Sequence, residues 1–389
     1  MWLSELIKKK NLTVLGLSSG TSADGIDAAI VEISGLKQIK VRPLYFSVFP
    51  YAEEVRQAAL YSATSPEDSI EYLARLNVLL GEVMAETALA VLKETKIKID
   101  LIGSHGQTIR HLPEAQDFLG RKIRASWQMG EGEVIAKKTG TVTVCDFRAG
   151  DIAAGGGGAP LTPYVNYLLF GNQKATGVLN IGGIANISAW NKNAGWEEII
   201  GFDCGPGNMV IDGLMTNMFK QGLDQGGKMA RAGKVNPELL EELLEHPFFK
   251  REPPKSTGRE EFGSAFAKTA LRLSSEYRVS EQELIATISE LTVQVIWDSY
   301  RRFIQPKFEI EELYLTGGGS YNGYFLERLK GLFAGAEIMT PEKRGFSRKG
   351  LEAVSFAVLA YLAICGLPAN LPQVTGAKMR AVLGKICLP

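Results

Sequence analysis

Two segments of the 389-residue chain share one plan, in which an apolar strand, a glycine-containing turn and a second apolar strand follow one another. They span residues 13–33 and 177–188, and so they open two halves of the chain. This pattern is typical of β-hairpins whose turns let the backbone approach an anion closely. Sequence identity between the two segments is slight, so the likeness is architectural. Two such halves can hold the phosphates of one nucleotide from both sides.

Length and composition narrow the class of protein. A chain of 389 residues exceeds the usual size of a single core, which predicts two domains, and its 42 glycines cluster after apolar runs, as in the ligand loops of α/β proteins. Basic and acidic residues number 43 each, which argues against nucleic acid and anionic membranes as partners. The four cysteines lack metal-binding spacing, and no apolar segment is long enough for a signal peptide or a bilayer span. We therefore expect a cytoplasmic protein.

The turn of the first hairpin offers three kinds of group to a bound phosphate or its metal ion. They are Gly20 and Gly25 for close backbone approach, Thr21 and Ser22 as hydroxyl donors, and Asp24 and Asp27 as ligands that reach magnesium through water. The spaced Gly-Lys-Ser pattern of a P-loop is absent. A polar surface turn without a ligand is the alternative.

Asp203 lies between the apolar pair at 199–200 and a Gly-Pro-Gly turn that leads into a helical segment. A strand that ends in such a turn directs backbone N–H groups toward one point, where an anion can bind. A carboxylate beside that point is either a partner of the metal on a polyphosphate or a catalytic base. The simpler alternative is that Asp203 caps the following helix.

Further polar side chains follow two predicted strands, at 99–102 and 141–145. His105 comes after the first strand and could bind a sugar hydroxyl, act as an acid or serve the structure. Arg148 comes after the second strand, suits an anionic group, and is flanked by Asp146 and Asp151. Either carboxylate rivals Asp203 as the base, and an Arg-Asp structural pair is the alternative.

Three more segments carry predictions. A strand that ends in Gly317, Gly318 and Gly319 allows flat contact with adenine or ribose. Glu352, near the start of a helix over 348–364, would cap that helix or face a substrate. A long amphipathic helix is predicted over 66–95, and Ser256 or Thr257 is predicted to cap a helix, with Glu260 or Glu261 near its third position.

Eight ordered motifs together resemble those of the anhydro-N-acetylmuramic acid kinase family. They are GTSADGID (20–27), GSHGQTIRH (103–111), DFRAGDIAAGGGGAPL (146–161), LNIGGIANIS (179–188), FDCGPGN (202–208), PPKSTGREEF (253–262), LTGGGSYN (315–322) and VTGA (374–377). They run in order from the first hairpin to the carboxyl terminus, and this makes the resemblance far more specific than any one glycine loop.

The resemblance implies an α/β protein with a duplicated actin-like ATPase (ribonuclease H-like) fold, in which two domains surround a nucleotide cleft. We expect a first domain of 1–175 plus about 366–389, and a second of 176–365. The implied activity uses ATP and Mg²⁺ to open 1,6-anhydro-N-acetylmuramic acid with water and phosphorylate it to N-acetylmuramic acid 6-phosphate, in bacterial cell-wall recycling. A homodimer is one assembly compatible with it. The alternative is an actin-fold ATPase that controls a partner protein or filament.

The resemblance also assigns roles to the singled-out residues. Asp203 would be the base, and Gly317 to Gly319 would lie near adenosine. The phosphates would meet the second hairpin at Gly182 and Gly183 and the first at Gly20, Thr21, Ser22, Ala23, Asp24, Gly25, Ile26 and Asp27. On the sugar side, Arg148 is the candidate for the lactyl carboxylate, and the other predicted contacts are His105, Gln107, Asp151 and Glu352.

Overall fold

The computed structural model describes residues 3–20, 23–64 and 69–389. The chain divides into two compact units. Unit 1 comprises Met1–Phe170 and Arg344–Pro389, and unit 2 comprises Gly171–Lys343. None of the described helices combines the length and apolar character needed to span a bilayer.

The strands of the described residues form one sheet in each unit. They are β1 (Asn11–Ser19), β2 (Gly25–Ser34), β3 (Lys40–Pro50), β4 (Leu101–Phe118), β5 (Arg121–Met129), β6 (Thr143–Cys145), β7 (Thr176–Ile181), β8 (Ile184–Trp190), β9 (Ile200–Pro206), β10 (Glu312–Thr316), β11 (Glu337–Met339) and β12 (Lys385–Cys387).

The α-helices of the described residues range from single turns to 26 residues. They are α1 (Leu3–Leu6), α2 (Glu53–Thr64), α3 (Ile70–Thr95), α4 (Gly132–Thr139), α5 (Phe147–Ala153), α6 (Thr162–Phe170), α7 (Asn208–Phe219), α8 (Lys228–Ala232), α9 (Pro237–Leu244), α10 (Pro247–Lys250), α11 (Arg259–Phe262), α12 (Ser264–Glu276), α13 (Glu281–Phe303), α14 (Gly323–Leu332), α15 (Leu351–Ile364) and α16 (Pro372–Thr375). Short 3₁₀ turns cover Trp196–Glu198, Gln225–Gly227, Gly318–Tyr321 and Pro341–Arg344.

The two sheets repeat one topology. Unit 1 has the order β3-β2-β1-β4-β6, extended by β12, and unit 2 has the order β9-β8-β7-β10-β11. In each sheet the first three strands are antiparallel to their neighbours and the last two run parallel to the central one. Both predicted hairpins are present, as β1–β2 and β7–β8. The shared order confirms the prediction of a duplicated, actin-like α/β fold.

Helix α15 belongs to unit 1, whereas the sequence prediction placed it in the second domain, 176–365. It packs on β1, β2 and β4. Its backbone approaches two glycines in those strands so closely that a Cβ on Gly16 would overlap Ala353 O, and one on Gly103 would overlap Phe356 O. Small residues on both sides therefore allow the helix to lie on the sheet. As a result Glu352 is part of unit 1.

Two other segments differ from the predictions. The strand predicted over 99–102 is much longer, because β4 continues to Phe118 and pairs with β5 beyond the parallel region. Gly106 permits this change of partner, since its φ of 77° is unfavourable for other residues. The long helix begins at Ile70 with Ser69 as its N-cap, and the predicted start at 66 lies outside the described residues.

Candidate active site

The turn of the first hairpin is fastened from β4. Ser19 Oγ donates to Gln107 Oε1 at 2.6 Å, and Gln107 Nε2 donates to Gly20 O at 3.1 Å. Gln107 is only 2 % exposed. Its side chain is therefore used to hold the turn in place, and it lies within β4 rather than in a loop.

The remaining residues of this turn offer mainly backbone groups. Ala23 and Ile26 are fully buried, and Ala23 has a φ of 51°, with its N–H donating to Gly20 O at 3.1 Å. The side chains of these two residues are therefore packed inside the protein and are not available to a ligand. The predicted hydroxyl donors Thr21 and Ser22 lie outside the described residues.

The carboxylates of Asp24, Asp27 and Glu352 interact in unit 1. Burial, reinforced by Glu352 and Asp24 and opposed by Lys349, raises the pKa of Asp27 to about 7. The side chain of Glu352 is exposed, but the surrounding protein atoms still raise its pKa by desolvation, while Arg148 opposes that shift. A divalent cation near Asp27 would favour its ionised form, so the chemistry of these donors fits Mg²⁺.

No group of three or more His, Cys, Asp or Glu side chains among the described residues is arranged to hold a metal ion. Magnesium keeps several waters and commonly binds through one or two carboxylates together with substrate phosphates. Asp24 and Asp27 fit that mode of binding better than they would fit an all-protein metal cage.

The side chains of Arg148 and His105 contact each other beside the glycine loop that precedes α6. Arg148 Nε and Nη2 lie 3.3 and 3.1 Å from His105 Nε2, and Arg148 Nη1 donates to Gly158 O at 3.0 Å. The His105 ring stacks on Phe356, with centroids 4.3 Å apart. Burial and the neighbouring guanidinium lower the pKa of His105 well below its usual value. A neutral imidazole that accepts from Arg148 is poorly suited to act as an acid, so its geometry favours orienting Arg148.

Asp151 is hydrogen-bonded to the same glycine loop. Its carboxylate is fully buried and accepts from Gly158 N at 2.8 Å, from Asn370 Nδ2 at 2.8 Å and from Thr375 Oγ1 at 2.7 Å. Asp146, the other rival to Asp203, pairs with Lys385 Nζ at 2.5 Å. Asp151 is therefore engaged in holding the loop, whereas Asp146 is paired with a surface lysine.

In unit 2, the turn of the second hairpin is bound to the amino terminus of α7. The N–H groups of Gly207 and Met209 donate to Gly183 O at 2.9 and 3.2 Å, and that of Asn208 donates to Gly182 O at 2.8 Å. The prediction that these helix N–H groups bind an anion is therefore wrong, because the carbonyls of the hairpin turn already occupy them. The N–H of Gly182 is also used within the turn, since it donates to Ile184 O at 3.2 Å.

Asp203 lies inside β9 and is 7 % exposed. Its Oδ2 accepts from Ser256 Oγ and from Thr257 N, each at 2.9 Å. The helix-cap alternative is wrong, since the N-cap position of α7 is Gly207 and Asp203 lies inside the preceding strand. The structure thus holds one carboxylate oxygen of Asp203 in a fixed direction.

Ser256 and Thr257 do not cap the next helix as predicted. The N-cap of α11 is Gly258, and Thr257 Oγ1 donates to Glu261 Oε2 at 2.6 Å. Both residues lie within a motif that the sequence had singled out, but the identity of their partner, Asp203, depends on the fold.

The third glycine segment follows β10. Gly317 has a φ of 77°, and a Cβ there would overlap Asn180 Oδ1, while a Cβ on Gly319 would overlap Ile181. Gly318 faces more open space, its nearest heavy atom being Asn208 Nδ2 at 3.7 Å from the position of a Cβ. Packing therefore accounts for Gly317 and Gly319, and Gly318 is the one with room for a ligand.

A family model described as anhydro-N-acetylmuramic acid kinase matches residues 12–389. The chain is 43 % identical to the anhydro-N-acetylmuramic acid kinase of Caldanaerobacter subterraneus subsp. tengcongensis, covering 99 % of both chains. It is 38 % identical to that of Salinibacter ruber, covering 100 % of this chain and 99 % of the relative, and 39 % identical to that of Bacillus thuringiensis, covering 97 % and 99 %. The chain belongs to the anhydro-N-acetylmuramic acid kinase family.

Two solved structures of other proteins resemble this chain distantly. Component A of (R)-2-hydroxyglutaryl-CoA dehydratase from Acidaminococcus fermentans is 12 % identical with a TM-score of 0.46, covering 91 % of this chain and 99 % of that one. A putative N-acetylmannosamine kinase from Listeria monocytogenes is 11 % identical with a TM-score of 0.33, covering 89 % and 98 %. The description of the site therefore depends on the geometry above.

Several residues of the site were not predicted from the sequence. Ser19, Asn370 and Thr375 supply hydrogen bonds to predicted residues from positions far away in the chain. Thr375 lies in the VTGA motif, which was the one signal that could have drawn attention to it. Asn370 lies outside all the quoted motifs.

Proposed function

We propose that this chain is an ATP-dependent sugar kinase that opens 1,6-anhydro-N-acetylmuramic acid with water and phosphorylates it to N-acetylmuramic acid 6-phosphate. The observation that carries this proposal is the family match over residues 12–389, which includes both units. No observation favours the alternative, an actin-fold ATPase that controls a protein partner. The reaction belongs to the recycling of cell-wall sugars, and we place it in the cytoplasm.

Asp203 is the proposed base. It accepts a proton from water as the water oxygen bonds to C1 of the sugar, and the bond between C1 and O6 breaks. O6 then bonds to the γ-phosphorus of ATP, and ADP leaves. Because the phosphoryl group takes up the charge that develops on O6, the reaction requires one base and no separate acid. Two hydrogen bonds to Oδ2 support this role, since they orient the carboxylate.

Arg148 is the proposed partner of the lactyl carboxylate of the sugar, because a guanidinium binds carboxylates through two parallel hydrogen bonds. His105 would act through Arg148 by accepting from it at Nε2. Asp151 would act through the glycine loop that it anchors at Gly158. Glu352 is the proposed contact to a sugar hydroxyl, with its accessible side chain in unit 1.

For the nucleotide, we propose that the two hairpin turns hold the phosphates and that Gly318, between Gly317 and Gly319, lies near adenosine. Gln107 would act indirectly, by holding the first turn at Gly20 O. Asp24 and Asp27 would bind Mg²⁺ through water, and the ion would supply charge neutralisation on the phosphates. The assembly state of the protein, including a homodimer, requires its own measurement.

The test is to incubate the protein with ATP, Mg²⁺ and the anhydro sugar, and to follow ADP release and product mass together. We expect ADP release to depend on the sugar, and one product with the mass of the sugar plus water plus one phosphoryl group. N-acetylmuramic acid, which lacks the bridge, is the matched control substrate. ADP release at the same rate with and without the sugar would refute the kinase proposal and support the alternative, an ATPase that controls a partner protein.

A further inference from the structure

A lysine side chain is buried in unit 2 beside the segment that binds Asp203. Lys255 is 6 % exposed, and its Nζ has no hydrogen-bond partner among the described residues. Three aromatic rings surround the ammonium, with Nζ 5.0 Å from the centroid of Phe248, 5.3 Å from Phe303 and 5.7 Å from Phe202. Ring faces attract a cation at such distances.

The main chain of the same segment pairs with β9 at the proposed base. Asp203 N donates to Lys255 O at 3.1 Å. The next two residues supply two hydrogen bonds to Asp203 Oδ2, from Ser256 Oγ and Thr257 N. Three consecutive residues therefore set the position of Asp203, and among these three it is Lys255 whose side chain enters the aromatic core.

Packing alone does not explain a cation at this position. A buried ammonium without an acceptor loses its hydration, and an apolar side chain of similar length would fill the same space without that loss. Burial lowers the pKa of Lys255, and Arg302 on α13 acts in the same direction. Cys204 and Asp203 on β9 and Asp298 on α13 oppose that shift. The ammonium thus interacts electrostatically with the carboxylate that its own segment holds.

We propose that Lys255 is a positioning residue for Asp203. Its ammonium, held among Phe202, Phe248 and Phe303, fixes residues 255–257 against β9, and its charge favours the ionised carboxylate of Asp203. The proposal rests on the proposed function for the role of Asp203 as base. The geometry of the lysine, its rings and the segment that it anchors is independent of the identity of the sugar.

The first experiment compares Lys255→Met, Lys255→Arg and the wild type for sugar-dependent ADP release across pH. Because Met retains the shape of the stem without the charge, we expect kcat to fall about 100-fold, the loss associated with a misplaced catalytic group. We also expect the KM for ATP to stay within about twofold of the wild-type value. Because the variant lacks the positive charge near Asp203, the acidic limb of the pH profile of kcat should move to higher pH by roughly one unit. Lys255→Arg keeps the charge and can stack on rings, so it should recover part of kcat and keep the wild-type limb.

The matched control is Lys250→Met, since Lys250 is an exposed lysine that pairs with Glu245 on the surface. It should behave as the wild type does. Wild-type kcat with an unmoved acidic limb in Lys255→Met would overturn the proposal, and so would equal losses in the Met and Arg variants. If Lys255→Met does not fold, Phe303→Leu loosens the site instead, and an unchanged kcat in that variant would also overturn it.

A second measurement separates this proposal from the proposed function. The carboxyl carbon of Asp203 can be titrated by ¹³C NMR on aspartate-labelled protein, with the signal assigned by its absence in Asp203→Asn. The Asp203 pKa should be higher in Lys255→Met than in the wild type, whatever the substrate is. If the wild type makes no phosphorylated sugar, the kinase proposal is refuted. If Asp203 titrates identically in the wild type and in Lys255→Met, the proposed role of Lys255 is refuted.

Discussion

Asp203→Asn is the change that tests the candidate site most directly. An asparagine oxygen can accept the same two hydrogen bonds, from Ser256 Oγ and Thr257 N at 2.9 Å, so the side chain should keep its place. The amide has no useful basicity, and the loss of a general base slows a reaction by about 10²- to 10⁴-fold. We therefore expect kcat to fall by that factor, equivalent to about 3–5 kcal/mol in the activation barrier.

The same contacts predict the effect on stability. Each of the two hydrogen bonds changes from a charged to a neutral acceptor, at a cost of about 1 kcal/mol per bond. A total of about 2 kcal/mol lowers the Tm of a unit of this size by roughly 4–8 °C, which leaves the protein folded at assay temperature. Loss of rate in this variant would thus report chemistry rather than unfolding.

The assay is sugar-dependent ADP release at saturating substrates, with ATP affinity measured separately by calorimetry. We expect the Kd for ATP to stay within about twofold of the wild type, because the variant alters the chemical step more than the binding of the nucleotide. Asp146→Asn is the matched control, since its carboxylate pairs with Lys385. A near-normal rate in Asp203→Asn would refute the assignment of Asp203 as the base. Loss of activity in Asp146→Asn would instead assign that role to Asp146.

Three further predictions concern unit 1. His105→Phe keeps an aromatic ring but removes the acceptor of Arg148, so the KM for the sugar should rise about tenfold with no new limb in the pH profile; an unchanged KM would contradict the positioning role. Burial raises the pKa of Asp27 from 3.8 to about 7, so the folded chain binds this proton more tightly than the unfolded chain does. The free energy of unfolding without nucleotide should then fall between about pH 4 and 7, by at most about 4 kcal/mol, and urea titrations of Asp27→Asn should lack that slope. Gly16→Ala should lower the free energy of unfolding by about 3 kcal/mol, because its Cβ would overlap the backbone of α15, whereas Gly331→Ala, in a helix with open space around it, should be neutral or stabilising; equal effects would contradict the packing of α15.

The sequence predicted those parts of the fold that depend on local patterns. Both hairpins, the strand β10 and most of the long helix α3 follow from apolar alternation and helical spacing. Asp203 was singled out because it lies between an apolar run and a glycine turn. Those signals lie within a few residues of one another and need no knowledge of tertiary contacts.

The sequence could not predict contacts between distant segments. The partners of Asp203 Oδ2 are more than fifty positions away in the chain, and two of the three partners of Asp151 are more than two hundred away. Helix α15 was assigned to the wrong half because its apolar pattern shows that it is buried without showing against which sheet. Each of these contacts depends on which helices, strands and loops pack together in the fold. A single sequence does not contain that information.

The two glycine turns are held in place by different means, and this bears on the proposed base. In unit 1 a side chain, Gln107, holds the turn, whereas in unit 2 the main-chain N–H groups at the start of α7 hold Gly182 and Gly183. Those groups follow directly after β9, the strand that carries Asp203. The second turn is therefore hydrogen-bonded to the segment that directly follows the strand of the proposed base. A change that displaces this turn should affect kcat as well as ATP binding, whereas a change at Gln107 should affect mainly ATP binding.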